Sequence, residues 1–277
     1  MKAALIQLNV SDDPVTNLGI TLDYVKEAAT AGATFVLTPE VTNCISTSRS
    51  HQRNVLQHED DDITLKALRA AAKEHEIWLL IGSLALKTTD DDGRFANRSF
   101  MISPAGEIVA RYDKIHMFDV QVTPEETWRE SEGYRPGGQA VVAQTDFGKV
   151  GMTVCYDVRF PLLHNALARH GAQILTVPAA FSPVTGDAHW HALLRARAIE
   201  TGCYVLAPAT TGEHASAAHK TRKTYGHSLV VTPWGEVQID AGTDPGVYIT
   251  DLDMGLVEEA RRKVPALTNA RTFNGPG

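Results

Sequence analysis

The sequence predicts an α/β fold in which two mixed β-sheets carry helices on their outer faces, and three observations lead there. Short apolar runs alternate with segments of helical period along most of the 277 residues. Pairs of apolar runs joined by tight turns interrupt that alternation in the middle of the chain and near its end. Hydrophobic residues make up 43% against 21% charged, enough for a sizeable core, and no linker, fixed-period repeat or low-complexity tract divides the chain. Helices on one face of each sheet leave the inner faces to pack on each other, which a four-layer αββα sandwich satisfies. Periodicity alone does not select it over a plain three-layer α/β fold. One domain over 1–277 is the simplest reading.

In order, residues 3–8 (AALIQL) read as a strand, and 17–30 as a helix with Leu18, Leu22, Val25 and Ala29 on one face. Gly32 closes that helix, and TFVLTPE follows as a short buried strand. A helix near 62–75, with Leu65, Leu68 and Ala72 inward, leads into the strand IWLLIGSLAL. From Ser99 to Lys114 two apolar runs flank Pro104-Ala105-Gly106-Glu107, a hairpin turn. A second pair, 140–145 and 149–155, joins through Phe147-Gly148. Then come a helix near 161–170, the strand ILTVPAA, a helix near 188–201 and the strand CYVLAPA. The hairpin HSLVVTPWGEVQI, the strand VYITDLD and a helix near 254–263 complete the pattern. Thr211 to Thr224, small, polar and locally basic, reads as a mobile loop near an acidic substrate.

Composition narrows the function classes. A formal net charge of −7 argues against nucleic acid as a partner, since polyanion binders need a basic surface. No run of 18 apolar residues is present, so no membrane span is expected. The opening MKAALIQLNV reads as a buried strand rather than a signal peptide. Three widely spaced cysteines, Cys44, Cys155 and Cys203, make neither a zinc framework nor a disulfide framework, and a reducing cytoplasm fits them. His189 and His191 are two apart on a predicted helix and do not share a side, so no metal site is expected. No cofactor is called for.

Three polar residues stand where apolar strands run out: Glu40 after TFVLTP, Lys114 after IVARYD, and Cys155 after KVGMTV. Strand ends are where α/β folds gather reactive groups on one rim. Phe160-Pro161 starts a helix just after Cys155, which places the thiol in a strand–turn–helix bend. A thiol is mostly protonated at neutral pH and needs a base; a buried carboxylate can take its proton and later return it to leaving ammonia. An ammonium can hold the developing oxyanion, with the backbone N–H of Tyr156 as a second donor. Glu, Lys and Cys thus suffice for acyl transfer without histidine or metal. Read alone, each has a plain structural explanation: a solvated loop carboxylate, a surface cation, an inert buried thiol.

The segments TPE at 38–40, YDKIHMFD at 112–119 and VGMTVCYDVRFP at 150–161 resemble the three signatures of the nitrilase superfamily. The resemblance covers nearly the whole chain and implies the αββα fold, with Glu40, Lys114 and Cys155 as the catalytic triad. Ala179–Glu200, YGHSLVV at 225–231 and PWGE at 233–236 resemble its Nit branch, and LLRARAIETGCYV is similar to deaminated-glutathione amidases somewhat more than to ω-amidases. The resemblance implies an amidase acting on a small amide that bears carboxylate, as a homodimer or dimer-based tetramer. It places Glu130, in WRESEGYRPGG, where the family has an additional acid. Leu162 departs from the pattern, which often continues Phe-Pro-Glu. Phe181, Thr185, His189 and Trp190 are expected to approach the pocket, while Asp157 and Arg159 hold the turn and Cys44 and Cys203 are structural.

The alternatives are another aliphatic or N-carbamoyl amidase of the superfamily, a Cys-His hydrolase using His116 or His227 as base, and a catalytically silent binding or regulatory homologue.

Overall fold

The computed structural model describes residues 1–124, 126–216 and 222–275. In chain order the elements are β1 (Lys2–Gln7), α1 (Pro14–Thr30), β2 (Phe35–Leu37), α2 (Arg49–Val55), α3 (Ile63–Glu74), β3 (Trp78–Leu86), β4 (Ala96–Ile102) and β5 (Ile108–Asp113). There follow the short strands β6 (Asp119–Gln121) and β7 (Thr127–Arg129), then β8 (Val141–Thr145), β9 (Gly148–Met152), α4 (Pro161–Arg169), β10 (Ile174–Thr176), α5 (Pro183–Thr201) and β11 (Tyr204–Ala207). The last part holds β12 (Thr211–His214), β13 (Arg222–Tyr225), β14 (Leu229–Val231), β15 (Val237–Asp240), β16 (Gly246–Asp251), α6 (Gly255–Lys263) and α7 (Ala266–Asn269).

Two six-stranded sheets organise these elements, in the orders β16-β1-β2-β3-β4-β5 and β15-β14-β11-β10-β9-β8. Each mixes parallel pairing at its centre with antiparallel hairpins toward its edges. Strand alternation decides the layering. Leu5, Leu37 and Met101 of the first sheet pack with Val150, Met152 and Ile174 of the second in one buried cluster. The alternate residues Ala4, Ile6, Val36 and Ile102 face the other way, into a cluster with Val25 and Ala28 of α1 and Leu68 and Ala72 of α3. Helices α4 and α5 cover the second sheet through Leu167, Trp190 and Leu194. The result is the four-layer αββα sandwich, and the three-layer alternative is excluded by the shared inner core.

Helix α1 corrects the predicted face. Its buried positions are Pro14, Asn17, Thr21, Val25 and Ala28, while Leu18, Leu22 and Ala29 are only half-buried. Polar residues occupy the inner stripe because their hydrogen bonds are met there: Asn17 donates to the Ser11 and Asn43 carbonyls at 2.8 Å, and Thr21 donates to the Asn17 carbonyl at 2.7 Å. Periodicity of apolar residues cannot register such a face. Helix α5 begins at Pro183 rather than near 188, with proline in its first turn.

The segment read as a loop at 211–224 contains a hairpin instead, β12 paired with β13 from Thr211↔Tyr225 to His214↔Arg222. Its small polar residues hid the strand period, and buried His214 fastens it by bonds to the Val10 carbonyl and the Thr224 hydroxyl, both 2.7 Å. Residues 217–221 of that stretch lie outside the described residues. The β6–β7 pair and helix α2 also escaped the sequence reading, being too short for periodicity to show.

One close approach fixes where the first sheet delivers its carboxylate. Gly82 in β3 lies against the end of the preceding strand, and a Cβ there would sit 2.0 Å from the Thr38 carbonyl oxygen, 2.4 Å from that of Pro39 and 2.6 Å from Pro178 Cβ. Gly82→Ala should therefore lower stability by about 1–3 kcal/mol in urea titrations, the usual cost of overpacking a tight site. Because the strained backbone is that of Pro39, beside Glu40, activity should fall along with stability.

Candidate active site

Glu40, Lys114 and Cys155, 40, 114 and 155 residues into the chain, meet at one end of the sandwich. Each stands just past a strand: Glu40 after β2, Lys114 after β5 and Cys155 after β9. Two of these ends are strained. Cys155 has φ +52 and Val41, directly after Glu40, has φ +46, both in the left-handed region that side-chain-bearing residues rarely enter. Such a backbone costs about 1–3 kcal/mol per residue and persists only where neighbours impose it. For Val41 they are Ser83, whose hydroxyl accepts from the Val41 N–H at 2.8 Å, and the Thr42 N–H to Ser83 carbonyl bond at 2.9 Å. For Cys155 the anchor is its own N–H to the Pro178 carbonyl at 2.9 Å.

The Lys114 ammonium is buried, 2% exposed, between two carboxylates. It donates to Glu40 Oε1 at 2.9 Å and to both oxygens of Glu130 at 2.8 and 2.9 Å. Asn97 completes the set, donating from Nδ2 to Glu40 Oε1 at 2.8 Å and to Glu130 Oε1 at 3.4 Å. The other oxygen of Glu40 accepts from the Ala180 N–H at 2.8 Å, and Glu130 Oε2 accepts from the Phe118 N–H at 2.6 Å. The Cys155 thiol lines the same cavity as Glu40 and Lys114 and feels the charge of both. Glu130 thus joins the three predicted residues, and Asn97 is a member that the sequence reading missed. Its signal was a polar residue inside the apolar run around β4, at a position that proves buried.

The electrostatics follow from burial and count of charge. Burial alone would raise the Glu40 carboxyl, but the adjacent Lys114 charge overcomes it and the net displacement is downward. Burial disfavours the Lys114 ammonium, yet Glu130 and Glu40 hold it well above the ordinary lysine value. The Cys155 thiol is pushed well above its ordinary value, first by burial and then by the Glu40 charge. Two carboxylates against one ammonium leave a net negative surrounding, in which a resting thiolate is disfavoured. The thiol is therefore held in its protonated form, with the Glu40 carboxylate beside it in the cavity.

Asp157 holds the turn that presents Cys155, as expected. Its Oδ2 accepts from Tyr112 Oη at 2.6 Å and from the Val154 N–H at 2.9 Å, and its Oδ1 accepts from the His116 N–H at 3.0 Å. One buried carboxylate so ties the nucleophile's turn to β5 and to the loop after Lys114. His116 is committed to it, with Nδ1 2.7 Å from Asp157 Oδ1 and the ring stacked on Phe160 at 3.5 Å. Neither His116 nor His227 lines the cavity, which removes the support for a Cys-His pair. The guanidinium of Arg159 lies over the rings of Tyr156 and Phe181.

The cavity at this site has a volume of about 490 Å³, the size range of small-molecule pockets. Glu40, Asn97, Lys114, Glu130 and Cys155 line it, with Phe118, Trp128, Pro183 and Val184 as apolar surface and Arg49, Arg129, Arg222 and Lys223 as cations. None of the four pocket candidates Phe181, Thr185, His189 and Trp190 lines it. Trp190 is fully buried, with Nε1 donating to the His227 carbonyl at 2.8 Å, and Phe181 packs on it at 4.8 Å. Thr185 turns back toward the Ser182 carbonyl, and exposed His189 meets Arg159. Helix α5 meets the cavity with its first residues instead, because it begins at Pro183. Cys44 also touches the cavity; it is buried and bonded to the Asp12 carbonyl at 3.6 Å, and burial pushes its thiol up to about 12. Cys203 lies in the core away from it.

A protonated thiol on a strained strand end, beside a carboxylate–ammonium–carboxylate set in an αββα frame, defines a hydrolase of carbon–nitrogen bonds other than peptide bonds. The chain belongs to the carbon-nitrogen hydrolase family, whose model matches residues 2–262, and within the nitrilase superfamily it is an amidase of the Nit branch. The deaminated glutathione amidase of Yersinia enterocolitica is 40% identical over 235 residues, covering 84% of this chain and 80% of the relative. The NitFhit protein of C. elegans superposes with a TM-score of 0.88 at 33% identity, over 98% of this chain and 65% of that longer one. An amidase from Nesterenkonia sp. AN1, a glutamate-to-glutamine mutant bearing the result of Michael addition of acrylamide at its active-site cysteine, superposes with a TM-score of 0.76. It is 27% identical, over 96% of this chain and 98% of that one. No helix among the described residues is long and apolar enough to cross a membrane.

Two outcomes follow from the geometry. Asn97→Ala should lower kcat by about tenfold or more while the fold is kept, because both carboxylates lose a shared donor; steady-state kinetics alongside circular dichroism would show it. Glu40 is depressed in the folded state, so its pairing stabilises fully above about pH 4.5, the ordinary glutamate value, and the gain is lost as pH falls through the lower folded value. Denaturant titrations from pH 7 to 3 should show a smaller loss of stability for Glu40→Gln than for the native chain.

Proposed function

We propose that this chain hydrolyses the amide bond of a small substrate bearing carboxylate, through a Cys155 thioester. The observation that carries it is Lys114 clasped by Glu40 and Glu130 beside the Cys155 thiol, at the floor of a cavity with cations near its mouth. Glu40 takes the thiol proton as sulfur attacks the amide carbon. Lys114 and the Tyr156 N–H hold the oxyanion; that N–H lies in the first turn of the short helix Cys155–Arg159, where a helix leaves its own donors unused. Glu40 returns the proton to the departing nitrogen, the amine leaves (ammonia where the amide is primary), and a thioester remains. Water, deprotonated by Glu40, then attacks the thioester; the carboxylate product departs and the thiol is restored. Glu130 keeps Lys114 charged and in place.

Substrate carboxylate is the natural partner of Arg49 and Arg222. Among the described residues neither has an ion-pair partner: Arg49 donates to Gln52 Oε1 at 2.8 Å, and Arg222 to the Ala180 carbonyl at 2.7 Å. A guanidinium free of its own carboxylate binds another one strongly, often through two bonds. Deaminated glutathione, the substrate in the name of the Yersinia relative, has the required amide and carboxylates; the short 2-oxo ω-amide 2-oxoglutaramate is the second choice. The working unit is one carbon–nitrogen hydrolase domain, assembled as a homodimer or dimer-based tetramer. Exposed Leu162 on α4 and Val184 and Ile199 on α5 support that assembly. A reducing cytoplasm suits its three free cysteines.

Release of ammonia from 2-oxoglutaramate, or of the cysteinylglycine amine from deaminated glutathione, tests this reading, and activity on neither would overturn the substrate class. Cys155→Ala should abolish turnover by several orders of magnitude, and Cys155→Ser should fail as well, since an alcohol needs a stronger base than a carboxylate. Arg49→Gln should raise KM by about 10–100-fold with kcat little changed, as expected for a lost charged hydrogen bond to bound carboxylate.

A further inference from the structure

Outside the catalytic cavity, three side chains from distant parts of the chain converge. His191 comes from the middle of α5, His227 from the connection between β13 and β14, and Asp240 from the end of β15. His191 Nε2 lies 2.9 Å from Asp240 Oδ2, and His227 Nδ1 lies 2.8 Å from Asp240 Oδ1. The three ligand-type atoms all fall within 4.8 Å of one another. We propose that His191, His227 and Asp240 form a binding site for a divalent transition-metal ion of the zinc class.

The donor chemistry selects the ion. Two imidazole nitrogens with one carboxylate suit zinc, cobalt, nickel or copper, whereas calcium and magnesium want oxygen ligands throughout. Zinc bonds of ~2.0–2.1 Å at tetrahedral angles place ligand atoms ~3.3 Å apart. The two hydrogen-bonded pairs, made to different oxygens of Asp240, need to open by only about half an ångström, while ligand atoms that stand up to 4.8 Å apart draw together around the ion. Three protein ligands leave a fourth position for water, and side-chain exposures of 35% for His191, 24% for His227 and 36% for Asp240 leave a way in.

Two of the three ligands are already fixed in place. His227 has φ +55; its N–H donates to the Gly242 carbonyl at 2.7 Å, and its carbonyl accepts from Trp190 Nε1 at 2.8 Å. Its ring lies on that of Tyr225 at 4.4 Å. Asp240 Oδ1 also accepts from the Gly242 N–H at 3.0 Å, an outer bond of the kind that orients metal ligands. The mechanism above uses none of these residues. An ion bound here would staple α5 to the β14–β15 hairpin.

The test uses the full chain with any affinity tag removed and metals stripped by chelator, in a Cys155→Ala background so that the catalytic thiol takes no zinc. Calorimetric titration with zinc chloride should find one ion per chain, and zinc should raise the melting temperature. His191→Ala, on an exposed helical position, and Asp240→Asn should each weaken binding about tenfold or more. His189→Ala, two residues away on the same helix, should leave it unchanged. No binding up to millimolar zinc, or equal binding in all three variants, would overturn the site.

Discussion

The structure turns on one buried ammonium. Lys114 has left water almost completely, and an isolated charge there would cost several kcal/mol or lose its proton. It stays charged because Glu40 and Glu130 each come within 2.9 Å of it. That requirement constrains three separate strand ends at once. The carboxylates in turn need the ammonium and the donors of Asn97, Ala180 and Phe118. Removing Lys114 leaves two buried carboxylates unpaired, and removing either carboxylate changes the charge balance around the ammonium, so the group acts as a unit rather than as a sum of contacts.

The same arrangement sets the chemistry. A catalytic thiol is usually activated by lowering its pKa, with a neighbouring cation or a helix N-terminus. Here burial, and then the Glu40 charge, work the other way and keep the thiol neutral. In the proposed mechanism proton removal and attack are therefore coupled, with Glu40 at hand in the same cavity. Lys114, with its charge secured by two carboxylates, is in that mechanism left to serve the oxyanion rather than the sulfur.

Positioning depends on features remote from the reacting atoms. Asp157 links the turn of the nucleophile to β5 through Tyr112, so the second sheet's thiol is registered against the first sheet's lysine. Gly82 lets the backbone before Glu40 pack against β3, and Gly137 does the same for Lys114: its N–H donates to the Lys114 carbonyl at 2.8 Å, and a Cβ there would meet the Asp113 carbonyl oxygen at 2.2 Å. Strained Val41 and Cys155 show that this precision is maintained against the local preference of the chain.

By itself the sequence determined the strands of the two six-stranded sheets and the long helices, since apolar period marks such segments. It also determined which polar residues end those strands, and the family motifs singled out Glu40, Lys114, Glu130 and Cys155. Only the tertiary structure decided the inner face of α1, where the Asn43 carbonyl of a neighbouring segment satisfies buried Asn17 and the helix's own Asn17 carbonyl satisfies Thr21. It alone brought Asn97 between the two carboxylates, set Arg49 and Arg222 at the cavity, and placed Phe181 and Trp190 in the core rather than in the cavity lining. It also carried His191 to His227 and Asp240, where spacing along one helix had offered no partner. The physical reason is common to all of these. Periodicity and local motifs report a residue's own segment, whereas hydrogen-bond partners and cavity walls come from segments tens to hundreds of residues away.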